Sequence, residues 1–133
     1  MLSKLFIFLL SIVPLVAYAH SHHKTHQQVD VDQLKSWYDQ KKPMVVLDAR
    51  SKPYFDGVLL PNAKWVPAEA TDAEIEAAVP SKDSLIVVYC YGLKCPASGW
   101  LYDKLVKLGY KNIYEFRGGI EEWIQKGYPT TKQ

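Results

Sequence analysis

Cysteine is scarce in this chain: of 133 residues only two are cysteine, Cys90 and Cys95, and both fall in the stretch VVYCYGLKCPAS at 87–98. One short loop therefore holds all of the thiol chemistry, as a nucleophile, a single disulfide or half of a metal site. Charge of one sign is lacking too. With 16 basic and 14 acidic side chains the net charge is +2, too small a surplus to advertise a nucleic acid or an acidic partner. The length leaves no room for a second ordinary domain, although 48% apolar residues suffice for one real core. Two motifs are also missing. Gly118-Gly119 lacks the G-x-G-x-x-G spacing of a dinucleotide loop and reads as a backbone turn. Six residues after Cys90, where a cysteine phosphatase needs an arginine to clamp phosphate, stands Pro96.

The amino terminus reads as an export signal. Lys4 supplies the positive start, residues 5–16 form an apolar run interrupted by Pro14, and Ala17-Tyr18-Ala19 is a small-x-small cleavage site. The alternative is an uncleaved membrane anchor. Cleavage after Ala19 makes residues 1–19 a signal peptide and leaves an exported protein, periplasmic or secreted, with no stable membrane insertion. Lys4 is the only charge removed, so 15 basic and 14 acidic side chains remain. In an oxidising compartment a disulfide is permitted and a free thiol needs a reason. Residues 20–28, HSHHKTHQQ, carry all four histidines without apolar periodicity and are expected to form a flexible tail, with the globular domain spanning 29–129.

Within that domain, Asp30 and Gln33 fit a capping box. Val31, Leu34, Trp37 and Tyr38 then repeat at helical spacing, predicting a helix of about three turns that ends near Lys41 and Lys42, before Pro43. Short apolar runs without alternation, at 44–47 and 85–89, suit strands buried on both faces of a parallel sheet, and 112–116 and the shorter 64–66 are further candidates. Helical patterns separate them: a capping box at Thr71 and Glu74, a helix over 96–108 stopped by Gly109, and a last helix over 120–126 closed by Gly127 and Pro129. Strands alternating with helices predict an α/β domain with a mainly parallel sheet. In such sheets ligands sit beyond the carboxyl ends of the strands, and Cys90 lies at one.

Between that strand and Pro96, at a first helical position, lie Tyr91, Gly92, Leu93, Lys94 and Cys95. Backbone N–H groups in such a loop, paired by neither strand nor helix, are free to converge on the Cys90 sulfur. Gly92 allows a positive φ, the following helix adds its dipole, and Lys94 adds a cation. All three lower a cysteine's pKa from its ordinary value of ~8.5, which predicts that Cys90 is largely thiolate at neutral pH and a ready nucleophile. The alternative is a buried structural cysteine.

Four segments then carry a family resemblance: VVLDAR at 45–50, YFDGVLLPNAKWVP at 54–67, VVYC at 87–90 and LGYKNIYEFRGGIEEW at 108–123. In that order they resemble a single-domain rhodanese, a sulfurtransferase, over nearly the whole mature domain. The resemblance implies a five-stranded, largely parallel sheet with helices on both faces. It also implies that Cys90 takes a sulfane sulfur from a small donor anion such as thiosulfate, becomes a persulfide, and passes the sulfur to cyanide or a thiol, with no cofactor required. The chain departs from the family pattern at three points. Val58 stands where the family often has histidine, Asn62 where it often has glycine, and Cys95 where the loop often ends in arginine or threonine to hold a sulfonate; Lys94 is the candidate replacement cation.

Asp48 and Arg50 are expected to make structural contacts beside the loop, and Trp100 and Trp123 to lie in the core. Cys95 either packs as a small residue in the first helical turn or acts as a resolving thiol that forms a reversible disulfide with Cys90. The second option makes a thiol-disulfide or redox-sensing protein the main rival function. A non-enzymatic, metal-handling module is the third: a chain starting His20-Ser21-His22 offers an amine, two amides and the His22 imidazole in a plane, which suits Cu(II) or Ni(II), with His23 and His26 as further ligands.

Overall fold

A computed structural model describes residues 25–133. Helix α1 (Val31–Asp39) starts where Asp30 accepts a hydrogen bond from the Gln33 N–H at 2.8 Å. It stops two residues before the expected end, because Gln40 caps it and Lys41 turns into the left-handed region at φ 53°. Strand β1 (Val45–Asp48), the short strands β2 (Val58–Leu59) and β3 (Lys64–Trp65), helix α2 (Asp72–Ala78) and strand β4 (Leu85–Tyr89) follow. Helix α3 (Ala97–Lys107), β5 (Asn112–Phe116), α4 (Gly119–Gln125) and β6 (Thr131–Lys132) complete the order. Thr71 and Glu74 form the expected reciprocal capping box on α2.

The main sheet has the order β3-β1-β4-β5 and is parallel throughout. The fold is α/β of the expected kind, with four full strands in this sheet rather than five. Beyond β5 the fifth place is held by a single parallel bridge between Gln28 and Glu115. There the Val29 N–H donates to the Glu115 carbonyl at 3.1 Å, and the Glu115 N–H donates to the Gln27 carbonyl at 2.7 Å. His26 also stacks on Tyr102 of α3, with ring centroids 4.1 Å apart. The segment expected to be flexible through Gln28 is thus docked from His26 onward. β2 and β6 form a separate antiparallel pair, which carries the ordered unit past residue 129.

The side-chain period of two splits β4 between two cores. Ile86 and Val88 pack with Leu47, Ile75, Leu101 and Leu105 under α2 and α3. Val87 and Tyr89 pack with Val46, Leu34, Phe116 and Trp123 under α1 and α4. With helices on both faces and strands on both edges, β4 is buried along its length, so its apolar run has no polar alternation. Its carboxyl end opens in the middle of the sheet, between β1 and β5, where flanking loops converge.

Candidate active site

Cys90 is the first residue after β4 and is 2% exposed, with its side chain on the α2/α3 side of the sheet. It is joined by a disulfide to Cys95, five residues on, with the two Cα atoms 6.1 Å apart. Cys95 is half-buried, and its N–H closes a turn onto the Gly92 carbonyl at 3.0 Å.

The loop between them presents its carbonyls to the rest of the protein. The Cys90 carbonyl accepts from the Ile120 N–H at 3.1 Å and the Tyr91 carbonyl from the Glu121 N–H at 2.9 Å, both in the first turn of α4. The Gly92 carbonyl is taken by Cys95, and the Leu93 carbonyl by Nη2 of Arg117 at 2.8 Å. Four consecutive carbonyls are therefore committed. Among the described residues, the N–H groups of Tyr91, Gly92, Leu93 and Lys94 donate to nothing. Unpaired amides on a loop whose neighbouring carbonyls are already engaged form a local positive potential suited to an anion. In this disulfide form none of them bonds to either sulfur.

Two glycines lie where the loop meets α4, and they differ in what they require. Gly119 has φ +65°, and a Cβ there would lie 2.5 Å from the Cys90 carbonyl oxygen and 2.6 Å from the Tyr91 carbonyl. Only glycine lets α4 approach the loop so closely. Gly92 does not adopt the positive φ expected of it. A Cβ there would meet only the end of the exposed Glu121 side chain, its carboxylate at 2.6 Å, which is able to swing aside. Asn62, standing where the family often has glycine, does take the left-handed conformation, at φ 57°, which asparagine tolerates better than most residues.

The pocket over the disulfide has a volume of about 610 Å³ and is walled by Arg50, Tyr54, Tyr91, Lys94, Pro96 and Trp100 around the two cysteines. Trp100 is 57% exposed, so it belongs to the pocket rim and not to the core. Ala97, Leu101 and Leu105 take the inward stripe of α3 and turn position 100 aside. Trp123 is fully buried, as expected. Lys94 lines the pocket and makes no ion pair among the described residues.

Arg50 is committed elsewhere. Its Nε donates to both oxygens of Asp48 at 3.0 and 3.1 Å, and Nη2 donates to Asp48 at 2.7 Å and to the Val58 carbonyl at 2.6 Å. Nη1 reaches Asp56 at 3.2 Å, which leaves one Nη1 proton free. Burial works against its charge, yet the hydrogen bonds and charge of Asp48, with Asp56 beyond, hold its pKa above the ordinary arginine value. Asp48 and Arg50 thus fasten the end of β1 to the β2 segment beside the loop. The parts that sequence reasoning missed are Arg117, Gly119, Tyr54 and Trp100. The Arg-Gly-Gly run at 117–119 was the available signal for the first two, whereas nothing in sequence spacing places Tyr54 opposite Cys90.

Residues 1–19 and the tail positions His20 and His22 lie outside the described residues. Among the described residues, no helix is long and apolar enough to cross a membrane, and no three His, Cys, Asp or Glu side chains are grouped to hold a metal ion.

The chain is 31% identical over 90 residues to the adenylyltransferase and sulfurtransferase UBA4 of Candida albicans, spanning about 20% of that relative's length and 62% of its own. A solved protein of Bacillus halodurans superposes with a TM-score of 0.72 at 22% identity, covering 80% of this chain and 77% of that one. A thiosulfate sulfurtransferase of Pseudomonas aeruginosa superposes at 0.68 with 18% identity, over 80% of this chain and 20% of that one. The rhodanese-like domain model matches residues 30–126, from the cap of α1 to the end of α4 and across every element that builds the Cys90 loop, and the chain belongs to the rhodanese-like domain family.

Proposed function

We propose that this protein is a rhodanese-type sulfurtransferase in which Cys90, once reduced, accepts a sulfane sulfur from a small anion such as thiosulfate and hands it to a thiol or cyanide. The observation that carries the reading is the loop itself. Among the described residues, its carbonyls from Cys90 to Leu93 are all paired, and the N–H groups of the four residues that follow the end of a buried central strand, Tyr91 to Lys94, are not. Attack by the Cys90 thiolate on the outer sulfur of thiosulfate forms a sulfur–sulfur bond and expels sulfite. Both the entering anion and the resulting persulfide gain from amides already fixed in place. Lys94, which lines the pocket and makes no ion pair among the described residues, supplies the cation for the departing sulfite. Family membership and the sulfurtransferase relatives support the reaction class. The amino-terminal sequence supports export to an oxidising compartment, in which the disulfide form accumulates.

The test is thiosulfate-to-cyanide sulfur transfer, measured as thiocyanate, with protein reduced beforehand and freed of reductant. Wild type and Cys95→Ser are expected to transfer sulfur and Cys90→Ser to transfer none. Activity that survives in Cys90→Ser would sink the reading.

A further inference from the structure

The disulfide joins the proposed sulfur carrier to a residue with no part in that reaction, and the two sulfurs differ in access. Cys90 is 2% exposed, whereas Cys95 is half-buried on the pocket wall. Their Cα separation of 6.1 Å lies within the range that a disulfide spans without backbone movement. The turn from the Cys95 N–H to the Gly92 carbonyl, followed directly by α3, keeps Cys95 facing Cys90. A reduced Cys95 is therefore a nucleophile within bonding reach of Sγ of Cys90.

We infer that Cys95 is a resolving thiol that discharges the sulfane sulfur from Cys90 as hydrosulfide, and that an external dithiol then reopens the Cys90–Cys95 disulfide by attack at Cys95. The inference rests on the reading of Cys90 as the sulfur carrier and extends it to a second activity, the reduction of sulfane sulfur at the expense of a dithiol.

In the first step the Cys95 thiolate bonds to Sγ of Cys90, the bond from Sγ to the outer sulfur breaks, and that sulfur leaves with the electron pair as hydrosulfide. The outer sulfur gains two electrons and each cysteine sulfur gives up one. In the second step a thiolate of the dithiol attacks the accessible Sγ of Cys95, and Cys90 leaves as a thiolate into the loop whose four N–H groups are unpaired. Exchange is faster when the departing thiol is the more acidic one, so exposure and leaving-group stability select the same sulfur. The dithiol's second thiol then displaces Cys95, releasing the oxidised dithiol and two reduced cysteines. With thiosulfate as donor, the sum is thiosulfate plus dithiol giving sulfite, hydrosulfide and the dithiol's disulfide.

The test mixes full-length, reduced, reductant-free protein with thiosulfate or, separately, with polysulfide, without oxygen. Intact mass and released hydrosulfide are followed, and a sample without donor controls for oxidation. Wild type is expected to lose two hydrogens; with thiosulfate it releases one hydrosulfide per chain. Cys95→Ser is expected to gain one sulfur atom and, with thiosulfate, release hydrosulfide only after a dithiol is added. A wild type that keeps the added sulfur with a free, alkylatable Cys95 would overturn the resolving role while leaving the sulfur-carrier reading intact. A Cys95→Ser variant that gains no sulfur from either donor would remove the carrier reading and this inference with it. Brief exposure of the oxidised protein to substoichiometric glutathione, quenched with an alkylating agent, is expected to place glutathione on Cys95 and the alkyl group on Cys90. The reverse pattern would overturn the second step.

Discussion

Replacing Gly119 by alanine tests whether the approach of α4 to the Cys90 loop holds the site together. Two costs add at this position. An L residue forced to φ +65° costs about 1–2 kcal/mol. The new methyl would also lie 2.5–2.6 Å from backbone atoms of Cys90 and Tyr91, which cannot rotate away, and such overpacking costs typically ~1–3 kcal/mol. Gly127→Ala separates the two costs. Its φ is +72°, but its Cβ would meet nothing within 4 Å, so it carries only the conformational cost. Alanine also restricts the unfolded chain in both variants, an offset of about 0.4–1 kcal/mol that cancels in the comparison. Urea unfolding is therefore expected to show Gly119→Ala less stable than Gly127→Ala by about 1–3 kcal/mol at an unchanged slope. In a reduced Cys95→Ser background, alkylation of Cys90 at neutral pH is expected to slow in Gly119→Ala and hold its rate in Gly127→Ala. Equal stabilities within about 0.5 kcal/mol would refute the claim that the loop is built against this glycine.

Other substitutions probe other parts of the same frame. Arg50→Ala leaves Asp48 buried without its partner and is expected to lose about 3–5 kcal/mol in denaturant unfolding, with Arg50→Lys recovering only part, since one ammonium cannot bridge Asp48, Asp56 and the Val58 carbonyl together. Asp32 is held below the ordinary aspartate value by a hydrogen bond from Tyr128 and then by Lys126. A depressed carboxylate contributes stability that is present above its unfolded pKa and lost as pH falls through its folded one, so the urea midpoint of Tyr128→Phe should depend less on pH over that acid range than wild type's. Copper titration of a chain beginning at His20 is expected to give a square-planar absorption band that one added amino-terminal residue abolishes; the same band in both chains would argue against a site made from the free amine.

The order of elements was legible because the periods of the sequence are strong. Leucine, isoleucine and valine fill β4 up to Tyr89, and the cap residues Asp30 and Thr71 mark where α1 and α2 begin, although only Thr71 and Glu74 form a reciprocal capping box. The pair β2–β6 was not legible, since two-residue strands carry no period and their partners lie more than seventy residues apart. The docking of residues 26–28 was hidden for a related reason: a polar stretch reads as a tail, yet one edge of β5 was left with unpaired backbone groups that this stretch satisfies. Trp100 was misjudged because the stripe on α3 is set by its neighbours, and only packing decides which side of that stripe meets the core.

By itself the sequence determined the α/β class, the place of Cys90 at a strand end and the five-residue spacing that brings Cys95 beside it, because these are local properties of periodicity and chain length. The tertiary structure alone decided what surrounds them. The first turn of α4 and Arg117, some 24 to 30 residues away along the chain, take up the loop carbonyls and leave its amides unpaired. Tyr54 and Trp100 arrive from two other segments to wall the pocket. A local pattern cannot encode such pairings, since each depends on how separate elements stack across the sheet.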